Sequence, residues 1–477
     1  MKRASGVLMH VSSLYGDYSI GSFGDEAKCF IDFLSDCGFS YWQVLPFCMV
    51  DECNSPYKSY SAFGGNPYFI SLEKLKSKGL VTDEELSEYK QQTPYSCEYV
   101  RLYHTRFSLL KKASERVCDR EQIEGFIDNN KYLGDFCRFM ALKAANDEKP
   151  WYEWEVESVD EEILFAWKFT QYEFFKQWNE IKSYANEKGI KIIGDIPIYV
   201  SYDSCDVWSA KELFLLDDME RPSCVAGVPP DYFCSDGQLW GNPIYNWELM
   251  KNDGFRWWED RISHMFCMFD GVRIDHFRGI SSYWSIPASS ETARNGEWKM
   301  GPGKEFIDML HTKFPEKLII AEDLGEITPD VTELLDYSKF PGMRIMQFGF
   351  LSYEDSTHLP HNYINNCIAY TGTHDNNTLL GFVWELEGDM RQYLLDYCGY
   401  TGDDWNNGYD TIIQCLFASS AGIVILPIQD LLGYGSDTRL NIPGKADGNW
   451  QFRITKEQLD GICREKYRHL NELYKRI

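Results

Sequence analysis

Eight short apolar runs, most closing on a polar or acidic residue and leading into a helical stretch, limit what this chain can fold into. In order they are GVLMHV (6–11), YWQVLP (41–46), IKIIGDIPIYV (190–200), FDGVRID (269–275), KLIIAED (317–323), MRIMQFGF (343–350), CIAYTGTHD (367–375) and GIVILPIQD (422–430). Helical patterns such as EFIDMLHTKF and ITPDVTELLDYS separate most of them. Eight strands alternating with helices predict an α/β fold, a parallel sheet closed into a (β/α)8 barrel. A doubly wound open sheet is the alternative. It places a glycine-rich phosphate turn after its first strand, and MHVSSLYGDYSIGSFG lacks that spacing.

The first helical pattern runs from Asp25 to Cys37 and stops at Gly38. Between Leu72 and Gly189 no strand pattern appears. Thr82 and Glu85 form a capping box there, followed by helical patterns at 101–117, 121–129, 134–146 and 160–188. Residues 1–477 are therefore expected to form a single catalytic barrel, with a helical insertion over approximately 72–160 after the second strand. Approximately 201–260, rich in Gly, Pro, Asp and Trp, is expected to be a loop insertion over the active face after the third strand. A last helix starts near Lys456, where Thr455 and Gln458 form a second capping box. No separate C-terminal β-domain and no short-period repeat is expected.

Composition narrows the partners. Asp and Glu number 73 against 47 Lys and Arg, a formal charge of −26. Such a chain repels phosphate backbones, so no nucleic-acid partner is expected. Aromatic residues reach 16%, which fits stacking on sugar rings and equally fits a packed core. The 15 cysteines are scattered through apolar runs such as FCRFM and IIQCLF, without CxxC or Cys/His metal spacing. Buried free thiols suit a reducing compartment. The start MKRASGVLMHVSSL has no sustained apolar segment and no run reaches membrane-spanning length, so a cytoplasmic location without a membrane partner is expected.

Barrel enzymes carry their active sites at the C-terminal ends of the strands. Three runs here end in carboxylates: Asp275, Glu322 with Asp323, and Asp375. By itself that pattern allows a glycosidase, a metal site or three helix caps. Retaining glycoside cleavage needs one carboxylate to attack and a second to donate a proton, about 5 Å apart. Arg273 precedes Asp275 by two residues, so on a strand both face the barrel mouth, where the guanidinium keeps the carboxylate ionised. His276 and His374 flank the two aspartates and could bond sugar hydroxyls. His10, Asp195, Asp275, His276, His374 and Asp375 are also metal-ligand types, but no His-x-His spacing supports a metal. Asp323 points away from its neighbour Glu322 and reads as structural. Pro329 reads as the first residue of a helix.

The runs GDIPIYV, GVPPDYF, GQLWGNPIYNW, VRIDHFRG, AEDLGEITPDV, GMRIMQFGF, PHNY, YTGTHDNNT and NIPGKADGNW together resemble the motifs of glycoside hydrolase family 77, the amylomaltases. The segment SPYKSYSAFGGNPYFISL is similar as well, and the resemblance extends from GVLMHVSSL over nearly the whole chain. It implies Asp275 as nucleophile, Glu322 as acid/base and Asp375 as transition-state stabiliser. It further implies Arg273 and His374 in the donor subsite, Tyr57 stacking on the sugar, Asp195 shaping the pocket, and Asp231, Phe233 and Trp240 touching the glucan. The implied activity is retaining 4-α-glucan transfer from maltooligosaccharide, starch or glycogen to glucose or another glucan, with no metal and no organic cofactor. Asn377 and Phe452 depart from the usual family residues, an acidic residue and a tryptophan.

Two other functions compete. An α-amylase-like hydrolase uses the same carboxylates with water as acceptor. A non-catalytic glucan-binding barrel would not require all of Arg273, Asp275, Glu322 and Asp375, and their joint presence argues against it.

Overall fold

A computed structural model describes residues 1–51, 53–230, 235–445 and 447–477. Among the described residues twelve strands form two sheets: β1 (Ala4–Leu8), β2 (Tyr41–Gln43), β3 (Lys191–Ile196), β4 (Cys224–Val228), β5 (Gln238–Pro243), β6 (Gly271–Ile274), β7 (Ser282–Pro287), β8 (Glu297–Met300), β9 (Leu318–Ala321), β10 (Gly342–Ile345), β11 (Cys367–Tyr370) and β12 (Ile423–Pro427). Eight of them close into a parallel barrel in the order β1-β12-β11-β10-β9-β6-β3-β2. Each barrel strand comes from one of the eight apolar runs, so the (β/α)8 expectation holds. The strands are shorter than the runs that supply them. β3 ends at Ile196 because Pro197 brings no N–H to continue the ladder. After Ile345 the run MRIMQFGF coils into a short 3-10 turn over Met346–Phe350.

The strands are buried on both sides, as an all-parallel sheet wrapped by helices requires. Close approach demands a glycine at Gly6, where a Cβ would lie 2.6 Å from Cβ of Tyr41 on the neighbouring strand. The helix Asp25–Asp36 ends as expected, and Gly38 supplies the left-handed φ of 76° that turns the chain into β2.

Between β2 and β3 the chain is helical, with helices at Leu72–Ser77, Asp83–Glu88, Tyr99–Glu115, Arg120–Asp128, Lys131–Ala145 and Glu161–Glu187. Both halves of the Thr82/Glu85 capping box form. The last helix brings Trp178 onto Phe47 at 4.7 Å in an edge-on pair, tying the helical segment to the barrel wall.

The segment after β3 holds more regular structure than a loop. β4 and β5 pair antiparallel there, and β7 and β8, following β6, complete a second sheet in the order β5-β4-β7-β8. β4, β5 and β7 carry Gly or Pro among their apolar residues, so their alternation is broken in sequence. Cross-strand contacts hold them, among them Trp284 opposite Trp298 with ring centroids 5.2 Å apart. Near the C-terminus the expected single helix is two, Lys456–Asp460 and Arg464–Leu473, the first capped by the Thr455/Gln458 box. Pro329 begins its helix as read from sequence. Beyond the last helix, buried Arg476 donates to the carbonyl oxygens of Ala4, Phe417, Ser419 and Ala421, locking this segment under β1.

Candidate active site

β3 and β6 are neighbours with Asp195 opposite Arg273, and both side chains point into the barrel. Nη1 of Arg273 donates to both carboxylate oxygens of Asp195 at 2.8 Å, while Nη2 meets Oδ1 of Asp275 at 2.8 Å. The guanidinium is only 5% exposed and Asp195 is fully covered, so the network is shielded from competing water. Burial opposes the Arg273 charge, but the carboxylates of Asp195 and Asp275 outweigh it and raise its pKa well above the ordinary value. Burial raises the Asp275 carboxyl above its ordinary value, and the Arg273 guanidinium offsets only part of that rise. Asp275 remains 29% exposed at the barrel mouth.

β9 lies against β6 with Ala321 opposite Ile274, which sets Glu322 beside Asp275 and His276. The backbone N–H of His276 donates to Oε2 of Glu322 at 2.7 Å, and that of Leu324 donates to Oε1 at 2.9 Å. Burial raises Glu322 to about 7, with Arg273 and the two N–H groups working against it and Asp275 adding to it. His276 holds a left-handed φ of 50°, uncommon for a side chain-bearing residue. Burial and Arg278 bring its imidazole down to about 3, so it is neutral. Asp323 faces the other way as expected, accepting from Met343 N at 2.6 Å and Arg344 Nη1 at 2.8 Å.

Asp375 departs from its expected place on a strand, because β11 stops at Tyr370 and the carboxylate sits in the following turn. Nε2 of His374 lies 3.3 Å from Oδ2 of Asp375, and Asn441 Nδ2 donates to Oδ1 at 2.6 Å. Burial would raise this carboxyl, but His374 and Asn441 outweigh it and hold it at about 2. In turn, Asp375 overcomes the burial of His374 and raises the imidazole above its ordinary value. Tyr57 donates its hydroxyl to Asp195 at 2.6 Å, and its ring stacks on His374 at 5.1 Å.

A cavity of about 380 Å³ opens over this floor, with Tyr57, Trp240, Asp275, His374, Asp375 and Asn441 in its lining. Trp240, on β5, meets His276 edge-on at 4.9 Å and so hangs the second sheet over the site. Arg273, Asp195, His276 and Glu322 are set back from the cavity lining. Asp231 and Phe233 lie outside the described residues. Asn441, Arg439 and Trp450 join the site without any role expected from the sequence. Arg439 Nη2 donates to the Asp375 carbonyl at 2.9 Å, and Asn441 N donates to the His374 carbonyl at 3.1 Å. The only available signal was the motif NIPGKADGNW, whose two ends, Asn441 and Trp450, both reach the cavity.

The family model for 4-alpha-glucanotransferase, glycoside hydrolase family 77, matches residues 9–459. This chain belongs to the 4-alpha-glucanotransferase family. The 4-alpha-glucanotransferase of Streptococcus pneumoniae serotype 4 is 42% identical over 100% of this chain and 98% of that relative. The same-named protein of Aquifex aeolicus is 41% identical over 95% of this chain and 96% of its own length. Among solved structures, an amylomaltase from Streptococcus agalactiae in complex with acarbose is 39% identical, covers all of both chains and superposes with a TM-score of 0.95. The chain is thus a family transglycosylase on a barrel, and the competing hydrolytic and non-catalytic functions are not favoured.

Proposed function

We propose that Asp275, Glu322 and Asp375 carry out the family's transfer of α-1,4-glucan segments, with glucose or a maltooligosaccharide as acceptor. Oδ1 of Asp275 is held by Arg273, which leaves Oδ2 to attack the anomeric carbon of the donor. As that bond forms, the bond to the leaving glucan oxygen breaks and Glu322 gives that oxygen its proton. In the second half an acceptor hydroxyl attacks the same carbon, its proton passes to Glu322, and the ester to Asp275 breaks. Asp375, at about 2, is an anion throughout and faces the positive charge that develops on the sugar ring.

The observation that carries this reading is the division of protonation between neighbours. Asp275 has the Arg273 guanidinium in contact at 2.8 Å, while Glu322, raised by burial to about 7, feels that guanidinium only at a distance and holds the proton. Arg273 and His374 with His276 are read as donor-subsite groups, Tyr57 as a stacking ring, Asp195 as the brace of Arg273, and Trp240 as the roof. Asp231 and Phe233 are proposed to touch the bound glucan. Residues 1–477 are read as one catalytic unit, with 72–160 and 201–260 as insertions.

No cofactor, nucleic acid or membrane takes part in this proposal. The charge of −26 supports the exclusion of nucleic acid, and among the described residues no helix is long and apolar enough to cross a membrane. Buried thiols at Cys37, Cys97, Cys137, Cys205 and Cys367 support a cytoplasmic location. Incubation with maltotriose tests the acceptor. A ladder of longer oligosaccharides plus glucose is the expected product, and maltose with glucose alone would overturn transfer.

A further inference from the structure

Behind the Asp375 turn lies a second, small cavity of about 20 Å³, on the other side of His374 from the substrate cavity. His10, His374, Asn377 and Arg439 are among its lining residues. That volume exceeds the roughly 10–15 Å³ a single water needs, and the wall is polar enough to hold one. Arg439 Nε is buried and has no hydrogen-bond partner among the described residues.

The two histidines have fixed outer contacts. Leu45 N donates to Nδ1 of His10 at 3.2 Å. A backbone N–H can only donate, so Nδ1 is bare and the neutral ring carries its proton on Nε2. Burial, with His374 adding to it, brings His10 down to about 3, in keeping with a neutral ring. His374 spends Nε2 on Asp375, leaving Nδ1 as its other nitrogen.

We propose that this cavity binds one ordered water, and that His10, acting through it, is a positioning residue that confines the His374 proton to Nε2, facing Asp375. The water accepts from Nε2–H of His10 and Nε–H of Arg439. With both lone pairs used it can only donate, and its donation goes to bare Nδ1 of His374. The hydrogen-bond count therefore selects the His374 tautomer that donates to Asp375. Around His374 the charged groups are Asp375, Asp195, Asp275, Arg273 and Arg439, with the Tyr57 hydroxyl and neutral His10 beside them. Asp375 draws a second proton to the ring, and the doubly donated water opposes it.

The proposal rests on Asp375 being the stabiliser only for its kinetic consequence. The tautomer needs no glucan to be read. In full-length enzyme labelled with ¹⁵N-histidine, NMR under alkaline conditions should show His10 and His374 both as Nε2–H tautomers. His374 as Nδ1–H would overturn the relay whatever the catalytic roles are. In kinetics, His10→Asn keeps an oxygen for Leu45 N but falls short of the cavity. It should lose about tenfold in kcat on maltotriose, the size of one net hydrogen bond, with KM nearly unchanged. His10→Gln, whose amide N–H reaches the Nε2 position, should recover most of that loss. In a His374→Asn background the His10→Asn change should cost less than about twofold. Wild-type kcat in His10→Asn, or its full loss in the His374→Asn background, would overturn the assignment.

Discussion

Asn441 reaches back 66 residues along the chain to place its amide nitrogen 2.6 Å from Oδ1 of Asp375. A neutral donor on a carboxylate favours the anion without adding a competing charge. Replacing Asn441 with Leu removes that bond, which is worth about 1.5–3 kcal/mol to a charged acceptor. Steady-state kinetics on maltotriose should therefore show kcat lower by about 10- to 100-fold. An unchanged kcat would detach Asn441 from the function of Asp375.

The two halves of the reaction should come apart in Glu322→Gln. A glucan leaving group needs a proton, so turnover of maltotriose should fall by about 10³-fold or more. A maltosyl fluoride donor leaves as fluoride without that help and should still glycosylate Asp275. Mass spectrometry should find a sugar adduct on the peptide carrying Asp275, and an adduct elsewhere would displace it as nucleophile.

Glu322 also sets the alkaline side of the pH profile. It must be protonated to start the first step, so kcat/KM should fall about tenfold per pH unit above about 7. With the fluoride donor and Glu322→Gln that limb should vanish. Persistence of the limb would assign it to another group.

Stability should follow the opposite sign from the usual surface carboxylate. Glu322 has a folded-state value raised by burial to about 7, so its contribution is complete below the ordinary glutamate value and is lost as pH rises through about 7. Buried Asp206 and Asp430, each raised to about 6, lose stability over the same direction of pH. Glu322→Gln should therefore gain roughly 1–3 kcal/mol relative to wild type at about pH 8, and little at about pH 4, by urea denaturation. Equal shifts at both pH values would contradict a buried, neutralised acid.

Arg273 should tolerate no conservative exchange. Its fork serves Asp195 and Asp275 at once, a geometry the single ammonium of Lys cannot reproduce. Arg273→Lys should lose about 10²-fold or more in kcat and lower the melting temperature, because buried Asp195 and partly buried Asp275 lose their shared partner. Near-normal activity would mean that Asp275 does not depend on the guanidinium.

What the sequence made legible was local. Each barrel strand is a short apolar run, so all eight stand out without knowledge of their partners. The same-face placement of Arg273 and Asp275 follows from the two-residue period of a strand. Asp375 was misplaced by a few residues, since a turn after Tyr370 and a longer strand read alike. The second sheet was not legible, because its strands are specified by cross-strand pairs such as Trp284 with Trp298. Asn441 and Arg439 were missed for a related reason: their role exists only once a distant loop folds back onto the Asp375 turn.

The Arg476 clamp under β1 bears on how the molecule is made. β1 emerges early, but its neighbour β12 lies more than 400 residues later, and the carbonyls around the seam wait for Arg476. During synthesis the β1 edge has β2 on one side and open hydrogen-bonding groups on the other. A ribosome-bound chain halted before residue 476 should thus carry a barrel with an unsealed seam, prone to protease attack and to pairing with another nascent chain. Closure waits for Arg476, whose guanidinium acts as the latch of the seam.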